Sequence, residues 1–145
     1  MIRCILFLFI TTCFSSPSWI STDISGTWMN ADKDAHIKIY PSYGKFYGQI
    51  VWMKQPNDSL TGKPQLDKLN KDPKLRSRPV MNMVIIRDLV FDAGDQEWQD
   101  GVIYNPKGGD SYDLNCKLID KNKLEVHFYM TVQAIGKTFY WTRIK

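Results

Sequence analysis

Hydrophobic and polar residues alternate with a period of two along most of this chain, the spacing of half-buried strands rather than of helices. Ala35, Ile37 and Ile39 share one phase of 35–40, with His36 and Lys38 on the other. Tyr112, Leu114, Cys116 and Leu118 alternate with Ser111, Asp113, Asn115 and Lys117. Leu124, Val126 and Phe128 alternate with Glu125, His127 and Tyr129. Residues 26–29, 83–86, 89–91, 98–104 and 137–144 are further strand material. Residues 46–53 are apolar on nearly both faces, and Gly48 marks a bend or bulge there. Turn residues separate these runs at Asp32–Asp34, Pro41–Gly44, Asp92–Asp95, Asn105–Asp110 and Asp120–Asn122.

Residues 54–79 break the rhythm. Pro, Asp, Asn, Lys and Gly dominate, and alternation stops. The stretch from Pro64 to Asn70 has room for one or two helical turns, opened by Pro64 and ended by Asp72–Pro73. A connection of this length inside a compact domain is uncommon and often functional. About eight short strands joined mostly by tight turns predict an all-β fold. A single antiparallel up-and-down barrel is the natural closure, and its interior holds side chains or one small ligand.

The first residues change the compartment. Arg3 supplies a positive charge, residues 4–10 are an unbroken apolar run, and Thr11, Thr12, Ser15, Ser16 and Ser18 are small. That order predicts a secretory signal peptide over residues 1–18, its end falling within 15–21. The run is shorter than the ~20 apolar residues a membrane span needs. Residues 10–13 have the outline of a lipoprotein processing site, but Thr12 before Cys13 fits it poorly. The expected product is one domain, residues 19–145, that is exported to the periplasm or the exterior and has no transmembrane segment. Its charge is mild, +4 over the whole chain, and interspersed, which argues against a nucleic-acid partner. Removal of the signal takes Cys4 and Cys13 with it and leaves Cys116 alone, so no internal disulfide is expected.

Candidate chemistry is sparse. Arg76 and Arg78 lie two residues apart, and Pro79 biases Arg78 toward extended backbone. The pair would grip a carboxylate or phosphate of a ligand, or pair with Asp67 and Asp72 to hold the long connection. His36 and His127 fall on the polar phase of their strands, outside the barrel, with no nucleophile or acid spaced for a relay. Cys116 falls on the apolar phase, the position of an inert buried thiol. The acidic turns lack the full ligand ladder of a calcium loop, and no zinc spacing, phosphate loop or nucleophile elbow is present. No metal, cofactor or enzymatic activity is expected. The aromatic residues of the strands, among them Trp52, Tyr104, Tyr112 and Phe128, would line a cavity or fill a solid interior.

Gly26-Thr27-Trp28 opens the first strand and Trp141-Thr142-Arg143 closes the last. In a closed meander these strands are neighbours, so Arg143 can cover the Trp28 indole as a structural seam with Gly26. This pairing resembles the lipocalin-like (calycin) signature. Further stretches carry a closer resemblance: Gly48 to Trp52, Asp72 to Pro79, Trp98 to Pro106, and Gly136 to Arg143. In order and content they resemble the secreted bacterial family called domain of unknown function 2147. The chain departs from its pattern at His127-Phe128-Tyr129, at Lys137 and near Met81-Asn82. The resemblance implies a lipocalin-like barrel in the bacterial envelope or outside the cell.

The expected function is therefore a non-enzymatic small-molecule binding protein. Its barrel would hold an apolar or amphipathic, fatty-acid-like ligand against Trp52, Tyr104, Tyr112 and Phe128, with Arg76 and Arg78 at an acidic head group. The alternative is an envelope structural or protein-interaction domain whose barrel is filled.

Overall fold

A computed structural model describes residues 23–131 and 135–145. The segment read as a signal peptide lies outside these residues, as does Cys13. Eight strands follow in order: β1 Gly26–Met29, β2 Ala35–Ser42, β3 Lys45–Met53, β4 Val84–Asp92, β5 Glu97–Asn105, β6 Asp110–Asp120, β7 Lys123–Tyr129 and β8 Gly136–Arg143. Each pairs antiparallel with the next, and β1 pairs with β8 through Trp28 opposite Arg143, so the sheet closes into a barrel. Among the described residues every strand has a partner on both sides, although β8 meets β1 at only two positions.

Alternation of side chains decides what lies inside. Leu114, Cys116 and Leu118 of β6 stand opposite Phe128, Val126 and Leu124 of β7, so both strands point their apolar phase inward in register. Gly48 is buried where β3 meets β4, and the ladder shifts register around it. A Cβ there would come within 2.9 Å of Ile86, so only glycine lets the Ile86 side chain lie across β3.

The connections sort by end. The turns after β2, β4 and β6 are short and lie at one end. The connections after β1, β3, β5 and β7 lie at the other, and the longest of them runs from residue 54 to residue 83. At the short-turn end the barrel is solid, packed by Trp28, Ile39, Leu89, Trp98, Leu114 and Leu124. Trp28 is wholly buried, its indole Nε1 donates to the Ile24 carbonyl at 2.9 Å, and the Arg143 guanidinium lies 4.2 Å from its ring centre. Gly26 passes beneath that guanidinium at φ 130°, where a Cβ would sit 2.5 Å from Arg143 Nη1.

The long connection corrects the helical expectation. Residues 64–70 form no helix. Instead Pro64 bridges to Asn57 and Leu66 to Pro79 as isolated β pairs. The short 3-10 helix is Pro73–Leu75, and Asp72 caps it by accepting from the Lys74 N–H at 3.0 Å. Asp72–Pro73 is thus a helix start, a cap followed by a ring that presets φ, where the sequence suggested a stop.

Candidate functional site

Above the packed floor the barrel is hollow. A cavity of about 1060 Å³ opens at the long-connection end. Ile37, Ile50, Ile103, Phe128, Phe139 and Trp141 form its apolar walls, and Tyr104 and Tyr112 also line it. The size lies just above the roughly 300–1000 Å³ usual for small-molecule sites, and the lining combines apolar walls with polar and charged residues.

The long connection lies against the mouth, contributing Gln65, Leu66 and Val80 to the lining. One buried carboxylate latches it. Asp67 accepts from the Tyr104 hydroxyl at 2.6 Å through Oδ1, and from Asn70 Nδ2 at 2.8 Å and Arg78 Nε at 2.9 Å through Oδ2. The Asp67 side chain has no exposed surface. Burial pushes its pKa up, but the bonds from Tyr104, Asn70 and Arg78 outweigh burial and hold it below the ordinary carboxylate value. Burial first, and then the Asp67 charge, push the Tyr104 hydroxyl up. Arg78 also lies 5.5 Å from the centre of the Tyr104 ring.

These contacts sort the candidate residues. Tyr104, Tyr112 and Phe128 stand together in the cavity, with Tyr112 and Phe128 stacked at 6.4 Å. Arg76 and Arg78 do not line it. Arg78 is bonded to Asp67, and Arg76 Nε donates to the Asn70 carbonyl at 2.7 Å, so both hold the connection together. Trp52 is also outside, 40% exposed and stacked on His36 at 4.3 Å. The reason is a β-bulge. His36 faces Trp52 but Ile37 faces Ile50, so Val51 is an extra residue and the strand phase flips after it. Met53 therefore points to the cavity in place of Trp52.

The remaining reactive groups lie elsewhere. His127 Nδ1 is 2.9 Å from Thr138 Oγ1 in an exposed contact. Cys116 is buried in the floor, and burial pushes its thiol pKa far up, away from the reactive thiolate. Among the described residues, no group of three His, Cys, Asp or Glu side chains gathers as a metal site. No helix among them is long and apolar enough to cross a membrane.

A closed eight-strand meander with a Trp–Arg sealed floor and a hollow upper half defines a lipocalin-like barrel. A solved structure described as "Protein HP1028 from the human pathogen Helicobacter pylori belongs to the lipocalin family" is similar to it. The TM-score is 0.72, with 27% identity over 85% of this chain and 84% of that one. Residues 26–143 match the family model described as "Uncharacterized protein conserved in bacteria (DUF2147)", and the chain belongs to that family. No curated protein matches it.

Proposed function

We propose that this chain is an exported, non-enzymatic carrier that holds one apolar or amphipathic, fatty-acid-like molecule in the upper half of its barrel. The observation that supports it most is the cavity of about 1060 Å³, apolar at its walls and polar at its mouth. A solid barrel working through its outer surface has no use for that volume. The apolar walls favour a hydrocarbon chain, since each buried methylene contributes about 0.8 kcal/mol. The basic, apolar, small-residue order of the first eighteen positions supports export.

Fluorescence of the neutral apolar probe N-phenyl-1-naphthylamine tests this reading. The purified domain is expected to bind the probe with micromolar affinity and to release it to long-chain amphiphiles. Ala35 lines the cavity, so Ala35→Trp places an indole within it. That variant is expected to keep the barrel's circular dichroism and to lose at least tenfold in probe affinity. A wild-type domain that binds no probe, or an Ala35→Trp variant that binds as well as wild type, would sink the proposal.

A further inference from the structure

We infer that the cavity mouth takes the anionic head group of an amphiphile, with Lys54 and Lys137 as its contacts and the tail in the barrel below. This rests on the carrier reading and adds the chemistry and orientation of the ligand. Five charged residues line the cavity: Asp32, Asp34, Lys54, Lys107 and Lys137. Lys107 is ion-paired to Asp34 across the mouth. Among the described residues, Lys54 and Lys137 belong to no ion pair. The segments 1–22 and 132–134 contain no Asp or Glu to neutralise them. Asp32 is the remaining lining carboxylate, which leaves the mouth one positive charge in excess. A single carboxylate or phosphate-ester head balances it.

Strand order brings the two lysines to one sector of the rim. Lys54 directly follows β3, and its backbone N–H donates to the Asp34 carbonyl at 2.9 Å. Lys137 is the second residue of β8, opposite Phe128 of the cavity wall. In the closed barrel β8, β1, β2 and β3 are consecutive, so the two positions lie three strand spacings apart, at least ~14 Å, with a further offset along the strands from the register. Flexible lysine stems can converge across that arc. The arginines offer no competing head-group site. Arg78 is engaged by Asp67 and Arg76 by the Asn70 carbonyl, and neither lines the cavity.

Competition between the neutral probe and a matched pair of ligands, dodecanoate and dodecanol, tests the inference. At low salt and neutral pH, dodecanoate is expected to displace the probe about fivefold more effectively, the size of two exposed charge contacts. The gap should close at about 1 M salt, where screening extends over only ~3 Å. The Lys54→Ala/Lys137→Ala double variant, whose mouth is left one negative charge in excess by Asp32, should lose the preference or turn it toward dodecanol, and Asp32→Asn should widen the wild-type preference. Lys74→Ala, on the long connection but outside the lining, should keep it. Equal competition by both ligands in wild type would overturn the head-group site while leaving the carrier standing. So would a preference that survives in the double variant. Failure of the probe and of both ligands to bind would overturn the carrier reading as well.

Discussion

Trp28→Ala is expected to cost about 4 kcal/mol of folding stability. That is a large share of the roughly 5–15 kcal/mol that holds a domain of this size together. The indole is wholly buried in the floor, so its removal leaves a hole among close-packed neighbours. It also orphans the Ile24 carbonyl and removes the face on which Arg143 rests. Arg143 otherwise fans out to the Ser25 and Lys121 carbonyls, each at 2.6 Å, and ties the start of β1 and the end of β8 to the β6–β7 turn. Trp28→Phe keeps a ring beneath the guanidinium and should lose about half as much. Urea unfolding measures both. A lower midpoint at unchanged slope marks lost stability in an intact fold. A loss below about 1 kcal/mol for Trp28→Ala would contradict the closed floor.

Asp67→Ala is expected to cost about 2–4 kcal/mol and to free the 54–83 connection from the mouth. The substitution leaves the Tyr104 hydroxyl, the Asn70 amide and the Arg78 guanidinium without their shared acceptor. Limited proteolysis should cut first within 54–83 in the variant and far more slowly in wild type. The pH dependence has a definite sign. The folded-state pKa of Asp67 is depressed below the ordinary 3.8, so its contribution is fully present above that value. It is lost as the pH falls through the folded pKa. The difference in thermal midpoint between wild type and Asp67→Ala should therefore hold constant from neutral pH down to about 5 and shrink below about 3.8. A difference that grows in acid would exclude the latch.

The barrel was legible because period-two alternation needs only a one-sided core, and β6 and β7 keep that period from Tyr112 to Leu118 and from Leu124 to Phe128. Trp28 and Arg143 were legible as a seam because closure makes the first and last strands neighbours. The sequence points Trp52 inward because the apolar run Ile50-Val51-Trp52-Met53 conceals which residue bulges. The partner strand decides that, through the His36 and Ile37 register. Pairing of Asp67 with the arginines was one of the two readings open in the sequence, but its contact with Tyr104 was not. Asp67 stands in a polar connection, and its main partner, Tyr104, is 37 residues away and reaches it only when β5 is in place. The arginine pair could be read two ways until topology put the Asp67 carboxylate beside Arg78. Lys54 and Lys137 were invisible as a pair because strand order, not sequence spacing, brings them to one rim.

Native mass spectrometry of protein purified from its own host tests the central claim, a barrel hollow above its floor and occupied by one amphiphile. The expected spectrum shows the folded chain with a single bound mass of lipid size. That mass should leave on unfolding and be absent from the Ala35→Trp variant. A folded chain that emerges at its bare mass in every preparation, and that takes up no added amphiphile, would contradict the account.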